Sequence, residues 1–380
     1  MECPLLLFLI TSCWSLTPPP RVSSPYGSIR GYFYTADSED GVSIFKCIPF
    51  ARPPTGDLRW RKPVKPDKWT VELDGTNFGP ACAETLQDQN PPGGYSEDCL
   101  HVNVYTSERC TKSKSGCAVV FFVHGGSLVY GSATVFDDER IANSFVRNDV
   151  IAVTTNYRVG IFGAMALGDE DALPANLAMH DCIAALKFTR EIIESFGGDI
   201  DRITIIGHST GGNLVNLLAF SPGITPTDEP PLFSSVVVMS GLFTLQDEPS
   251  QIRKSRAHAA AAGCTGSNTE IMTCLRSKST AELCAAQLAA AGPHTLADAQ
   301  LGRIAMMGEL FPISRRRELF EHPAKFRFMT GSTSNETDKN DFRNVDFVGM
   351  MGFENKEECF AKFEADEKSC AFDEEPVITT

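Results

Sequence analysis

Positive charge is in short supply. Lys and Arg number 34 against 48 Asp and Glu, leaving a net charge of −14 and an isoelectric point near 5.0. Nucleic acids and anionic membrane surfaces need a basic face, so neither is expected as a partner. Long apolar runs are also missing: past the first fifteen residues no segment reaches the 18 consecutive apolar side chains of a membrane-spanning helix. There is no internal repeat and no linker-like stretch after Pro20. No Cys/His cluster has zinc-ligand spacing, so no metal or other cofactor is expected. What the chain does have is bulk: 380 residues, 42% hydrophobic and 22% charged, can bury a large core in one big domain or two small ones.

The first fifteen residues read as a secretory signal, an apolar core from Pro4 to Ile10 followed by small and polar residues to Ser15, although Glu2 stands where a basic residue is usual. Residues 16–380 are then one mature domain, led by the stiff Pro18-Pro19-Pro20 and expected in the secretory lumen or outside the cell. Eleven of the 13 cysteines follow Ser15, which suits an oxidising compartment. Cys264 with Cys274 and Cys110 with Cys117 are each spaced for a local bridge; Cys359 with Cys370 could form another, although a helix there would hold them apart, and for Cys47, Cys182 and Cys284 the plain alternative to pairing is a free buried thiol.

Apolar β-rich runs alternate with helical patterns, indicating a mostly parallel sheet covered by helices. The strand candidates are Val102 to Tyr105, Ala118 to Val123, Val150 to Thr155, Arg202 to Ile206, Ser235 to Met239 and Phe326 to Met329. Leu177 to Phe196 has apolar residues at helical spacing and stops at Gly197 and Gly198; the Ala-rich stretches Ala259 to Ala262 and Ala285 to Ala291 read as helix interiors. The fourth of these runs, Arg202 to Ile206, leads straight into Gly207-His208-Ser209-Thr210-Gly211 and then an apolar helix from Asn213 to Phe220. A Gly-x-Ser-x-Gly turn between strand and helix is a nucleophile elbow, in which glycines admit a tight turn that lifts the serine hydroxyl above the sheet. The helix below it points its positive end at developing negative charge. A second glycine turn, His124-Gly125-Gly126-Ser127, follows the Ala118 to Val123 run and can converge backbone N–H groups on an oxyanion together with the N–H of Thr210.

With both turns in place, three longer stretches carry a resemblance. Phe45-Lys46-Cys47-Ile48-Pro49-Phe50-Ala51-Arg52-Pro53-Pro54, Glu97-Asp98-Cys99-Leu100-His101-Val102-Asn103-Val104-Tyr105 and Asn156-Tyr157-Arg158-Val159-Gly160 resemble signatures of the type-B carboxylesterase/lipase family, which includes the cholinesterases. The match runs from about Gly27 to Asn340. The resemblance implies an α/β-hydrolase fold, a mostly parallel twisted sheet with helices on both faces, and hydrolysis of small carboxylic esters through an acyl-enzyme. Carried over by position, Ser209 resembles the nucleophile, Gly126, Ser127 and Thr210 the oxyanion donors, Glu336 the acid that orients the base, and Ser240 a supporting serine. The family usually has Gly at Ser127 and Ala at Thr210; both departures keep the backbone N–H. The resemblance also implies bridges Cys82–Cys99 and Cys264–Cys274.

One part departs from the pattern. The family's general-base histidine follows the acid, yet all seven histidines, His101, His124, His180, His208, His258, His294 and His322, precede Glu336. His208 inside the elbow is expected to point away from the serine hydroxyl, and His124 to shape the oxyanion loop. The expectation is a family member lacking the last strand and closing helices, with Glu354 to Glu375 a charged solvated helix and the Phe326 to Met329 strand left at an open edge. Removing a triad histidine lowers turnover by on the order of a millionfold. The alternative reading is therefore an inactive esterase-like binding or adhesion protein. Cholinesterases seat a quaternary ammonium on a tryptophan in the loop matching Cys82 to Cys99; here that loop has no Trp and Tyr95 is its one aromatic residue, so a general esterase is expected. The sequon Asn335-Glu336-Thr337 overlaps the acid and is expected to be too buried for a glycan.

Overall fold

The computed structural model describes residues 18–34, 41–85, 90–221, 231–241, 248–291, 304–305, 307–311 and 327–331. Among them, eight strands share one sheet: β1 (Tyr32–Tyr34), β2 (Val42–Pro49), β3 (His101–Ser107), β4 (Cys117–Val123), β5 (Val150–Thr155), β6 (Gly198–His208), β7 (Ser235–Met239) and β8 (Arg327–Gly331). Their order is β8-β7-β6-β4-β5-β3-β2-β1. The five from β8 to β5 run parallel, and β3, β2 and β1 are antiparallel to their neighbours. This is the α/β-hydrolase arrangement. The registers Thr155↔Val123, Gly207↔Val123, His208↔Met239 and Met239↔Gly331 bring the carboxyl ends of the parallel strands to one edge, where open α/β sheets bind ligands.

Alternation along the strands fills both faces. Val119, Phe121, Val153, Ile203, Ile205 and Val236 enter the main core with Ala178, Leu186, Leu214 and Leu217. The last four belong to α1 (Leu177–Ile192) and α2 (Thr210–Phe220). On the opposite face Ile44, Tyr105 and Ala152 meet Ile141 and Ala142 of the short helix Asp138–Ser144. Burying each such aliphatic side chain contributes about 1.5–3 kcal/mol. A smaller cluster joins Trp60 and Phe162 to Leu275 and Leu283, carried on α4 (Asn268–Ser277) and α5 (Thr280–Ala291), which follow α3 (Glu248–Ala261).

The Leu177 to Phe196 pattern is helical throughout, but its last turn, Ile193–Phe196, tightens to 3₁₀ before Gly197 closes it at φ +82°. Among the described residues three disulfides form, Cys82–Cys99, Cys110–Cys117 and Cys264–Cys274. Cys47, Cys182 and Cys284 are free, the last two buried. Cys359, Cys370, the leader and the charged stretch after Glu354 lie outside the described residues. Among the described residues β8 is the outermost strand, with Phe328 and Met329 exposed, and no helix is long and apolar enough to cross a membrane.

Candidate active site

β6 ends at His208 and α2 begins at Thr210, so the whole change of direction falls on Ser209, at φ +55° and ψ −125°. An L-residue enters that region only under constraint. The constraint is packing: a Cβ on Gly207 would lie 2.1 Å from the Gly211 carbonyl oxygen and one on Gly211 2.2 Å from the Val123 carbonyl oxygen, so glycine at both positions lets β6, α2 and β4 meet this closely. The Ser209 N–H donates to the Met239 carbonyl at 2.9 Å, anchoring the turn to β7, and its own carbonyl accepts from Asn213 N–H at 3.0 Å. Ser209 is half-buried and His208 exposed. Among the described residues no side chain hydrogen-bonds Ser209 Oγ.

The glycine turn after β4 lies against the elbow. A Cβ on Gly125 would sit 3.0 Å from Ser209 Cβ and 2.7 Å from the His208 carbonyl oxygen. The Gly126 carbonyl accepts from Val129 and Tyr130 N–H at 2.9 and 3.0 Å, folding the loop back on itself. Among the described residues nothing accepts from the N–H groups of Gly126, Ser127 or Thr210. The Thr210 N–H belongs to the first turn of α2, where intrahelical acceptors do not exist and the dipole favours negative charge. Ser127 takes φ +56°, which accounts for glycine as the more usual residue there.

His124 begins this loop 1% exposed, stacked on Tyr157 with ring centroids 4.2 Å apart. Its Nδ1 lies 2.8 Å from the Gly125 carbonyl; a carbonyl can only accept, so Nδ1 carries the hydrogen. Burial pushes the imidazole down to about 4, so it is neutral near pH 7 and acts as a fixed donor to the loop. Burial pushes the Tyr157 phenol well above its ordinary value, keeping it a donor to the His124 carbonyl at 2.7 Å.

Sequence reading passed over the residues that hold this loop. Asn156 to Gly160 stood out only as a matching motif, yet it is the loop's template: Asn156 Oδ1 accepts from Ala133 N–H at 2.7 Å, Tyr157 holds His124, and Gly160 N–H donates to the Leu128 carbonyl at 2.6 Å. Arg158 anchors the template to α1 through a bidentate, fully buried pair with Asp181, both contacts at 2.7 Å. These roles depend on contacts across tens of residues that no local pattern records.

The remaining predicted residues fall as follows. Ser240 is half-buried at the end of β7, at φ +51°, and its N–H donates to the Gly331 carbonyl at 2.7 Å. Glu336 and its sequon lie outside the described residues, five positions past that carbonyl. Cys82–Cys99 closes the loop containing Tyr95. Among the described residues no group of His, Cys, Asp or Glu could hold a metal ion.

A family model described as the carboxylesterase family matches residues 18–373. The chain belongs to the carboxylesterase family. It is 36% identical to a juvenile hormone esterase of Tribolium castaneum over 73% of its own length and 48% of the relative's. With liver carboxylesterase 1 of Oryctolagus cuniculus the identity is 33%, covering 74% and 51%. With the medium-chain fatty acyl-CoA hydrolase precursor of Anas platyrhynchos it is 34%, covering 80% and 54%. The chain thus spans about half the length of the curated relatives it matches. Among solved structures, a PNB esterase superposes with a TM-score of 0.70 at 29% identity, over 83% of this chain and 63% of that one.

Proposed function

We propose that this chain carries the nucleophile and oxyanion hole of a serine hydrolase acting on small, uncharged carboxylic esters. Ser209 Oγ attacks the ester carbonyl, and the N–H groups of Gly126, Ser127 and Thr210 receive the oxyanion. The alcohol leaves, and water then releases the acid from Ser209. The observation that carries this reading is the close approach of the Gly125 turn to Ser209 with three N–H groups lacking acceptors among the described residues.

Glu336 is the acid that orients an imidazolium. β8 ends two strand spacings from β6, about 10 Å, while five residues reach up to about 17 Å, so the segment after Gly331 is long enough to return to Ser209. The proton from Oγ goes to a histidine in this family. His124 is unsuited to that step, because its ring is sealed beneath Tyr157 and committed to the Gly125 carbonyl. Ser240 supports the acid loop by holding the Gly331 carbonyl. The absence of Trp between Cys82 and Cys99 favours general over choline esters. The three disulfides fit a secretory route directed by a signal in residues 1–15.

A fluorophosphonate probe tests this directly. The expected result is a covalent adduct mapped to Ser209 and abolished in Ser209→Ala; a folded chain that takes no probe would overturn the reading in favour of a non-catalytic binding protein. Acetylcholine turnover above that of uncharged esters would remove the substrate assignment alone.

A further inference from the structure

Glu84 follows Cys82 by two residues and is 2% exposed. Its base is fixed twice, by the Cys82–Cys99 bridge and by Ala83 N–H donating to the Ser96 carbonyl at 2.9 Å. A carboxylate this deeply buried is costly unless backbone donors or charges satisfy it. Its Oε2 accepts from the N–H of Gly131, 47 residues away, at 2.8 Å. Beside it opens a cavity of about 360 Å³, lined also by Tyr95, Ser132 and Thr134.

Gly131 closes the glycine loop and is packed on its first turn. At φ +104° it has no room for a side chain: a Cβ there would lie 2.5 Å from the Gly125 carbonyl oxygen and 2.8 Å from His124 Nδ1. Gly125 in turn lies against Ser209. The contacts therefore run without a gap from Glu84 to Gly131, to Gly125, to the nucleophile. The Asn156–Gly160 template holds His124, Leu128 and Ala133 from one side; Glu84 holds the closing residue from the disulfide-bounded loop.

We propose that Glu84 is a positioning residue for the oxyanion hole, clamping the far end of the glycine loop so that the Gly126 and Ser127 N–H groups face Ser209. This rests on the hydrolase reading above. Its test compares Glu84→Ala with Glu84→Gln, which keeps the accepting oxygen; Glu84→Met, which fills the volume without an acceptor, replaces the alanine variant should that one not fold. Amide exchange over residues 124–131 is read in each, beside the kinetics of fluorophosphonate labelling. Loss of the acceptor should speed exchange at Gly131 roughly fivefold to a hundredfold, the range for a buried donor left without its partner. The first-order labelling constant should fall by a similar factor while the reversible binding constant of the probe holds, and Gln should restore both to near the parent's values. Parental exchange and labelling in the acceptor-less variant would overturn the proposal. A parent chain that takes no probe speaks against the hydrolase reading instead, and exchange at Gly131 still decides whether Glu84 holds the loop.

Discussion

The geometry at Ser209 is set by atoms too close to admit substitution. Gly125 faces the His208 carbonyl and Ser209 Cβ at distances that a methyl group cannot occupy without displacing backbone. Gly125→Ala should therefore push the glycine turn off the elbow. We expect at least about a hundredfold loss of Ser209 labelling, comparable to deleting an oxyanion donor; labelling at the parental rate would mean that the turn does not serve the nucleophile. At this scale the two glycine turns were legible beforehand. Gly-x-Ser-x-Gly and His-Gly-Gly-Ser are local patterns whose glycines report backbone states, and the structure puts them in contact. Glu84 was not legible, because a lone Glu in a polar loop has no local mark of burial.

The elements show where pattern reading succeeds and where it stops. Ser235 to Met239 is the strand its β-branched run marks, since Ser234 before it and Ser240-Gly241 after it bound the run. β6 begins at Gly198, earlier than the apolar run at Arg202, because Gly198 pairs with Cys117 across a register shift. β1 and β2 escaped a strand reading altogether. β2 is interrupted at Cys47, at φ +55°, where the pairing with β3 slips between Phe45 and Ile48 and hides the period of two. The template turn and α1 are joined by Arg158 and Asp181, 3% and 0% exposed. Asp181→Ala leaves a buried guanidinium without its carboxylate and should destabilise the fold by about 3–5 kcal/mol. Urea unfolding measures this; a loss under about 1 kcal/mol would assign the pair no more weight than a surface contact.

For the whole molecule, buried imidazoles make stability depend on pH, and burial pushes His101 down as well. Desolvation pushes His124 down to about 4, and desolvation with Lys62 nearby does the same to His180, against an ordinary value of 6.5. Between pH 4 and 6.5 the unfolded chain binds these protons and the folded chain does not, so stability rises with pH through that window and levels off above it. His124 alone accounts for up to about 3 kcal/mol of that rise. The urea midpoint should climb from pH 4 to 6.5, less steeply in His124→Gln; an identical slope in that variant would show that His124 titrates as freely as in the unfolded chain.

The amino-acid order by itself determined the α/β class, the family, the elbow serine and the bridges Cys82–Cys99 and Cys264–Cys274, because each is written in local periodicity, in short glycine spacings or in continuous resemblance. Only the tertiary structure decided what holds the oxyanion loop in place. That task falls to Tyr157, Asn156, Gly160 and Glu84, whose partners lie 23 to 47 residues distant in the pairs Asn156–Ala133, Tyr157–His124 and Glu84–Gly131. Buried hydrogen bonds of this reach are fixed by how strands stack side by side, and stacking is a property of the folded sheet that no stretch of sequence contains.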